Sequence, residues 1–405
     1  NPGNGGGLHV TGNSANVTLS GIVFLNAAAS EGGGLWNNGG TMTVQAGDVI
    51  FGDTFIDFNT AAGNASDNGG GGVFNNGGTL ILAPGTQVVR NVASGTAGSG
   101  GGIFNLTPGT LVVDSVNFED NTANRAGGAI ELNSAMGETF TFNNVVMNQN
   151  TANAPAPGNG GGLHISGPGN VNYNGGSITN NIAFEGGGLW NGTGTMTVSG
   201  TTITGNKATG DATGGGGIFN NGGTLNVDAA TTLTANAAMG ATPGGRGGAL
   251  FNNTGGTLNV ATGSTISGNY ASRAGGAIED ASGNTLTLDG VTLNGNSAGV
   301  NIGLGNMANP GNGGAIHLSG TTNADISNST IENNQAAQEG GGLWNNAGIM
   351  TIEATVLTGN SASGALADDG GGALFNNGGT LNVLAGTEIT NNKADGTAGS
   401  GGGSG

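Results

Sequence analysis

Gly32-Gly33-Gly34-Leu35-Trp36-Asn37-Asn38-Gly39-Gly40-Thr41-Met42-Thr43-Val44 decides how this chain folds. Thr41-Met42-Thr43-Val44 alternates as a half-buried strand does, and helical periodicity is missing throughout. The glycines and asparagines ahead of it suit tight corners, because both accept left-handed backbone angles at low cost. The run returns as Gly187-Gly188-Leu189-Trp190, a turn at Asn191-Gly192-Thr193-Gly194, then Thr195-Met196-Thr197-Val198. A third strand follows at 201–204 and a corner at Gly205-Asn206. Three short strands per coil predict a β-helix of roughly triangular section.

The apolar residue after the glycines recurs at Leu8, Leu35, Val73, Ile103, Ile130, Leu163, Leu189, Ile218, Leu250, Ile278, Ile316, Leu343 and Leu374, thirteen coils spaced by 26 to 38 residues. A second marker, an apolar residue three before an asparagine, ends at Asn59, Asn91, Asn121, Asn150, Asn181, Asn206, Asn236, Asn269, Asn296, Asn334, Asn360 and Asn392. In this reading the first coil breaks it, with Ala27 at the asparagine position. Stacked coils put these asparagines in one structural ladder, bonded amide to amide.

A longer period overlies the coils. Pro2-Gly3-Asn4-Gly5 returns at Pro157 and Pro310, periods of 155 and 153 residues, or five coils. The residue after each apolar marker spells His9, Trp36, Phe74, Phe104, Glu131, then His164, Trp190, Phe219, Phe251, Glu279, then His317, Trp344, Phe375. Every histidine and every tryptophan of the chain falls in this series.

Composition agrees with a repetitive, thin-cored fold. Of 405 residues 91 are glycine, only 7% are charged and 4% aromatic, yet 35% are hydrophobic, too many for a disordered linker. The net charge of −18, from six basic and 24 acidic residues, disfavours nucleic acid and anionic membranes, which select clustered Lys and Arg. Cysteine is absent, which excludes disulfides and thiolate metal sites. No targeting, membrane-spanning or lipidation signal is present. The chain opens and stops inside a repeat, so the expectation is one continuous solenoid over residues 1–405, a segment of a longer polypeptide. Its super-repeats are 1–155, 156–308 and an incomplete 309–405; Thr397 to Gly403 matches Thr96 to Gly102, and Ser404-Gly405 then replaces the expected Ile-Phe, so the run 401–405 is either a natural divergence or an added tail.

The pairing of Gly-Gly-Ala-Ile, literal at Gly127-Gly128-Ala129-Ile130, Gly275-Gly276-Ala277-Ile278 and Gly313-Gly314-Ala315-Ile316, with the Phe118 to Asn121 marker resembles the passenger repeats of polymorphic outer-membrane proteins, an autotransporter-type family. The commoner form that begins at Gly32 resembles large glycine-rich β-helical surface proteins of environmental bacteria. The resemblance spans essentially the whole chain. It implies a right-handed parallel β-helix exposed outside the cell, often in adhesins.

If Leu35 and its equivalents point inward, alternation turns the following residue outward. His9, Trp36, Phe74, Phe104, Trp190, Phe219, Phe251, Trp344 and Phe375 then form an external aromatic ridge, repeating about every 24 Å at a coil spacing of about 4.8 Å. Such a ridge is a candidate interface with another protomer, another segment or a glycan. The three histidines, five coils apart, cannot share a metal ion and have no carboxylate at ligand spacing. Glu31, Glu185, Glu339, Arg125 and Arg273 read as solvated or locally paired charges. Asp48, Asp53 and Asp57 are the densest acid group, with only Arg90 for company a coil later; Asp368-Asp369 and Glu279-Asp280 are adjacent pairs. None repeats as a catalytic module. The Gly-Asp calcium nonapeptide is absent, and Thr-x-Thr runs such as Thr41-Met42-Thr43 are too irregular for an ice-binding face.

The sequence therefore predicts no catalytic residue, metal site or cofactor, with divalent cations attracted only loosely. The expected role is an extracellular structural solenoid in a filament, sheath or stalk, self-associating side by side or end to end. An adhesin or glycan-binding passenger is the alternative, and a polysaccharide lyase or hydrolase the remote one. Neither nucleic acid nor direct membrane insertion is expected.

Overall fold

Thr41-Met42-Thr43-Val44 forms a strand whose Met42 and Val44 are fully buried while Thr41 and Thr43 are half-buried. The computed structural model describes residues 3–47, 53–153, 157–301, 305–306, 310–366 and 368–396. They fall into two compact units, residues 1–196 and 197–405. Among the described residues there is no helix, and thirteen strands occupy each of four positions in the repeating coil. The chain is an all-β solenoid of parallel sheets.

In the first unit the second coil serves as the example. Its strands are Leu35–Asn38, Thr41–Val44, Thr54–Asp57 and Thr60–Ala61. Each pairs in parallel and without slip with the next coil: Leu35 with Val73, Met42 with Leu80, Ile56 with Val88, Ala61 with Ala93. The second unit repeats the plan, for instance in Leu250–Asn252, Thr257–Val260, Thr265–Ser267 and Tyr270–Ala271. Sequence patterning predicts three strands per coil. The fourth, made of the two residues directly after the marker asparagine, is too short to alternate, so period counting misses it. Its second residue is alanine in all thirteen coils.

The glycine run passes directly over the backbone of this strand, which leaves no room for a side chain on the glycine. A Cβ on Gly33 would lie 2.2 Å from the Gly71 carbonyl oxygen and 2.5 Å from the Thr60 backbone. Gly32, with φ of +62°, makes the turn that precedes it and would push a Cβ to 2.3 Å from the Leu35 carbonyl oxygen. Leu35, Met42, Val44 and Ile56 fill the inside, each position continued by Leu, Ile, Val, Met or Phe in the neighbouring coils. Each fully buried aliphatic contributes about 1.5–3 kcal/mol.

The corner between third and fourth strands carries the asparagine ladder. Asn91 donates from both its backbone N–H and Nδ2 to Asn121 Oδ1, each at 3.0 Å. Asn121 does the same to Asn150 Oδ1, at 3.0 and 2.9 Å, and its Nδ2 also reaches the Val88 carbonyl at 2.8 Å. The same bonding links Asn59 to Asn91 and Asn150 to Asn181 in the first unit. It links Asn206, Asn236, Asn269, Asn296, Asn334, Asn360 and Asn392 in the second. The first coil is no exception: Asn26, not Ala27, holds the position and donates to Asn59 Oδ1 at 2.9 Å. Val23 pairs with Ile56, so the marker there reads Val23 to Asn26, one residue earlier than expected. The residue before each ladder asparagine has a positive φ in all thirteen coils, from Leu25 to Asn391.

Candidate functional site

The outward residues of the first strands are not a solvent-facing ridge. Trp36, Phe74, Phe104, Glu131, His164 and Trp190 in the first unit are buried, as are Phe219, Phe251, Glu279 and Trp344 in the second. His317 and Phe375 are half-buried and His9 is exposed. Alternation does put these side chains on the face opposite Leu35. The segment ahead of the glycines, however, folds back across that face. Phe74 and Phe104 meet edge to face at 5.0 Å, as do Phe219 and Phe251, so the series is internal packing.

Five residues separate Glu31 from Trp36, Glu185 from Trp190 and Glu339 from Trp344, and the glycine turn lies between them. It returns each carboxylate to its indole: Nε1 donates to Oε2 at 2.9, 3.2 and 2.9 Å. These glutamates are therefore partners of buried rings and not merely solvated charges. Burial pushes the Glu185 carboxyl above its ordinary value, opposed by the Trp190 hydrogen bond and by His164. Burial likewise raises Glu339.

On the other side of each tryptophan stacks a histidine from the preceding coil: His9 on Trp36 at 4.1 Å, His164 on Trp190 at 4.3 Å, His317 on Trp344 at 4.2 Å. Two of these histidines meet a further carboxylate. His164 Nδ1 lies 2.7 Å from Glu131 Oε2, and His317 Nδ1 lies 2.8 Å from Glu279 Oε2. The carboxylates accept a second bond from Ser166 at 2.8 Å and Ser319 at 2.6 Å. Arg125 stands 4.0 Å from Glu131, and Arg246 stands 4.0 Å from Glu279. Burial would raise the Glu279 carboxyl, but His317, Arg246 and Ser319 outweigh it and hold the group below the usual carboxylate range. Each unit thus contains a chain of contacts: glutamate, histidine, tryptophan, glutamate.

The expectation that no carboxylate accompanies the histidines fails for a simple reason. Glu131 precedes His164 by 33 residues and Glu279 precedes His317 by 38, each one coil, so the parallel register places them side by side. The signal was present in the series itself, where Glu directly precedes His. A second inner ladder also escaped notice: Asn37 Nδ2 donates to Asn75 Oδ1 at 2.9 Å and Asn75 to Asn105 at 2.7 Å. In the second unit Asn220 donates to Asn252 and Asn252 to Asp280. Glu279 and Asp280 accordingly face opposite ways, and burial raises Asp280 despite bonds from Ser282 and Asn252.

The remaining acids disperse. Asp57 forms a two-point pair with Arg90, Nε to Oδ1 at 2.9 Å. Asp53 accepts from Gln87 at 3.2 Å, Asp369 closes a turn on the Leu366 N–H, and Asp48 lies outside the described residues. Among the described residues no group of three or more His, Asp or Glu is arranged to hold a metal ion.

No known protein family, no curated protein and no solved structure matches this chain. Its chemistry must be read from its own geometry.

Proposed function

We propose that this chain is a non-enzymatic structural solenoid, working outside the cell as a segment of a filament, sheath or stalk. The observation that carries this reading is the repetition of one set of buried contacts at the five-coil period. A histidine on one ring face and a glutamate on the indole N–H recur at Trp36, Trp190 and Trp344, and within each unit the ladder asparagines bond from coil to coil. Within each unit, coils hold their neighbours by backbone pairing, by side-chain amides and by packed aliphatics, as a structural repeat requires. A cysteine-free chain of strong negative charge suits an extended, soluble extracellular object that needs no disulfides.

The aromatic series offers no continuous association surface, since all its rings but His9, His317 and Phe375 are buried. The adhesin alternative loses its sugar platforms at Trp36, Trp190 and Trp344 for the same reason. Self-association, side by side or end to end, must use other surfaces. Electron microscopy of native material at neutral pH tests the assembly. Ordered filaments or bundles support it, and dispersed single particles at all concentrations overturn it.

A further inference from the structure

The third strands of the first super-repeat carry side chains that this fold does not need. Their outward residues are Phe55 and Asp57, Gln87 and Val89, Asn117 and Glu119 in three successive coils. Five coils later the equivalent positions hold Thr202 and Thr204, Thr232 and Thr234, Thr265 and Ser267. The corner residues differ in the same sense. Phe58, Arg90 and Asp120 adopt φ of 54, 52 and 54°, where the later coils place Gly205, Ala235 and Gly268. The left-handed backbone is common to this corner in every coil, so what sets these three coils apart is the size and charge of the side chains placed there.

Together these residues shape a depression of about 260 Å³ lined by Phe55, Gln87, Val89, Arg90, Glu119 and Asp120. Its polar groups are held by bonds between coils. Gln87 donates to Asp53 at 3.2 Å and accepts from Asn117 at 2.8 Å, and Asn148 fixes Glu119 at 3.1 Å. Asp57 orients Arg90, whose guanidinium lies 4.3 Å over the ring of Phe58. Phe58 is 43% exposed and meets Phe24, 47% exposed, edge to face at 5.9 Å.

We propose that this face binds a neutral saccharide chain. The half-buried ring of Phe55, beside fixed amides and carboxylates, matches a sugar, which offers C–H groups on one face and hydroxyl donors around its edge. Four carboxylates (Asp53, Asp57, Glu119, Asp120) against one guanidinium (Arg90) repel acidic polysaccharides and nucleic acid. Rigid polar groups spare the ligand the entropy of ordering them. Successive coils, about 4.8 Å apart, present their outward groups in line, which suits an extended chain lying along the stack. The proposal is independent of the structural role, because a stalk can carry such a face.

The test is affinity electrophoresis of the full chain in native gels containing dextran, a β-glucan, a galactomannan or an acidic polygalacturonate. The comparison protein carries Phe55→Thr, Phe58→Gly and Arg90→Ala, the residues that the same fold uses five coils later. Retardation of the native chain by at least one neutral polymer is expected. The triple variant should bind at least tenfold more weakly while keeping a cooperative melt. Three results overturn the proposal: no neutral polymer retards the native chain, only the acidic polymer does, or the triple variant is retarded equally.

Discussion

His164 Nδ1 sits 2.7 Å from Glu131 Oε2, with both side chains buried and one coil apart. The carboxylate accepts and the imidazole donates from Nδ1. Ser166 fills the other carboxylate oxygen, and Trp190 covers the ring. Removing one member strands the rest. Glu131→Leu is expected to destabilise by about 3–5 kcal/mol, the usual consequence of breaking a buried pair. Glu131→Leu combined with His164→Leu should recover a large part of that loss. Urea denaturation of the two single variants and the double variant measures the interaction; additive losses would show that the two residues do not act together.

Two glutamates, Glu279 beside His317 in the second unit and Glu185 beside Trp190 in the first, respond to pH in opposite directions. In the folded chain Glu279 titrates below its ordinary value of 4.5, so its stabilising contribution is present above that pH and is lost as pH falls through the folded value. Glu185 titrates above 4.5, so its ionised form costs stability at neutral pH, and acidification through the folded value recovers it. Glu279→Gln should therefore lower the melting temperature near neutrality and lose its effect in acid. Glu185→Gln should leave the neutral melting temperature equal or higher and remove the gain on acidification. Thermal melts between about pH 7 and pH 3 check both signs.

Asn121 accepts two bonds from Asn91 and donates two to Asn150 inside the stack. Asn121→Leu deprives the donors of Asn91 of one acceptor and Asn150 Oδ1 of one donor, at about 1–3 kcal/mol for each buried group left unsatisfied. Because coils hold mainly to their neighbours, the loss should begin locally. Hydrogen exchange is expected to quicken first in the coils of Asn91, Asn121 and Asn150. A uniform change along the chain would contradict this.

Trp36, Trp190 and Trp344 are 6, 8 and 6% exposed, each capped by a histidine ring and held by a glutamate. Their fluorescence should resist iodide and acrylamide quenching in the folded chain and become accessible on unfolding. Efficient quenching in the native state would restore the idea of an open aromatic ridge. Trp190→Ala should cost about 3–5 kcal/mol, as large core truncations do.

Patterning alone carried the reading far. The glycine run before Leu35, the alternation of Thr41 to Val44 and the marker asparagines follow from local backbone demands, so each is legible wherever it occurs. From them come the coil, its stacking direction and the asparagine ladder of each unit. The five-coil order of His, Trp, Phe, Phe and Glu is also plain in the sequence, as is the absence of thiol chemistry.

What lies on each face was decided only by the tertiary structure. Alternation assigns Trp36 to the side opposite Leu35 but says nothing of what covers that side, and the segment bearing Glu31 covers it. The pairing of Glu131 with His164 and of Asp57 with Arg90 depends on parallel register between coils of unequal length, 33 residues in both cases here and as many as 38 elsewhere. Local sequence determines which way a backbone turns; burial depends on what the rest of the chain brings across it.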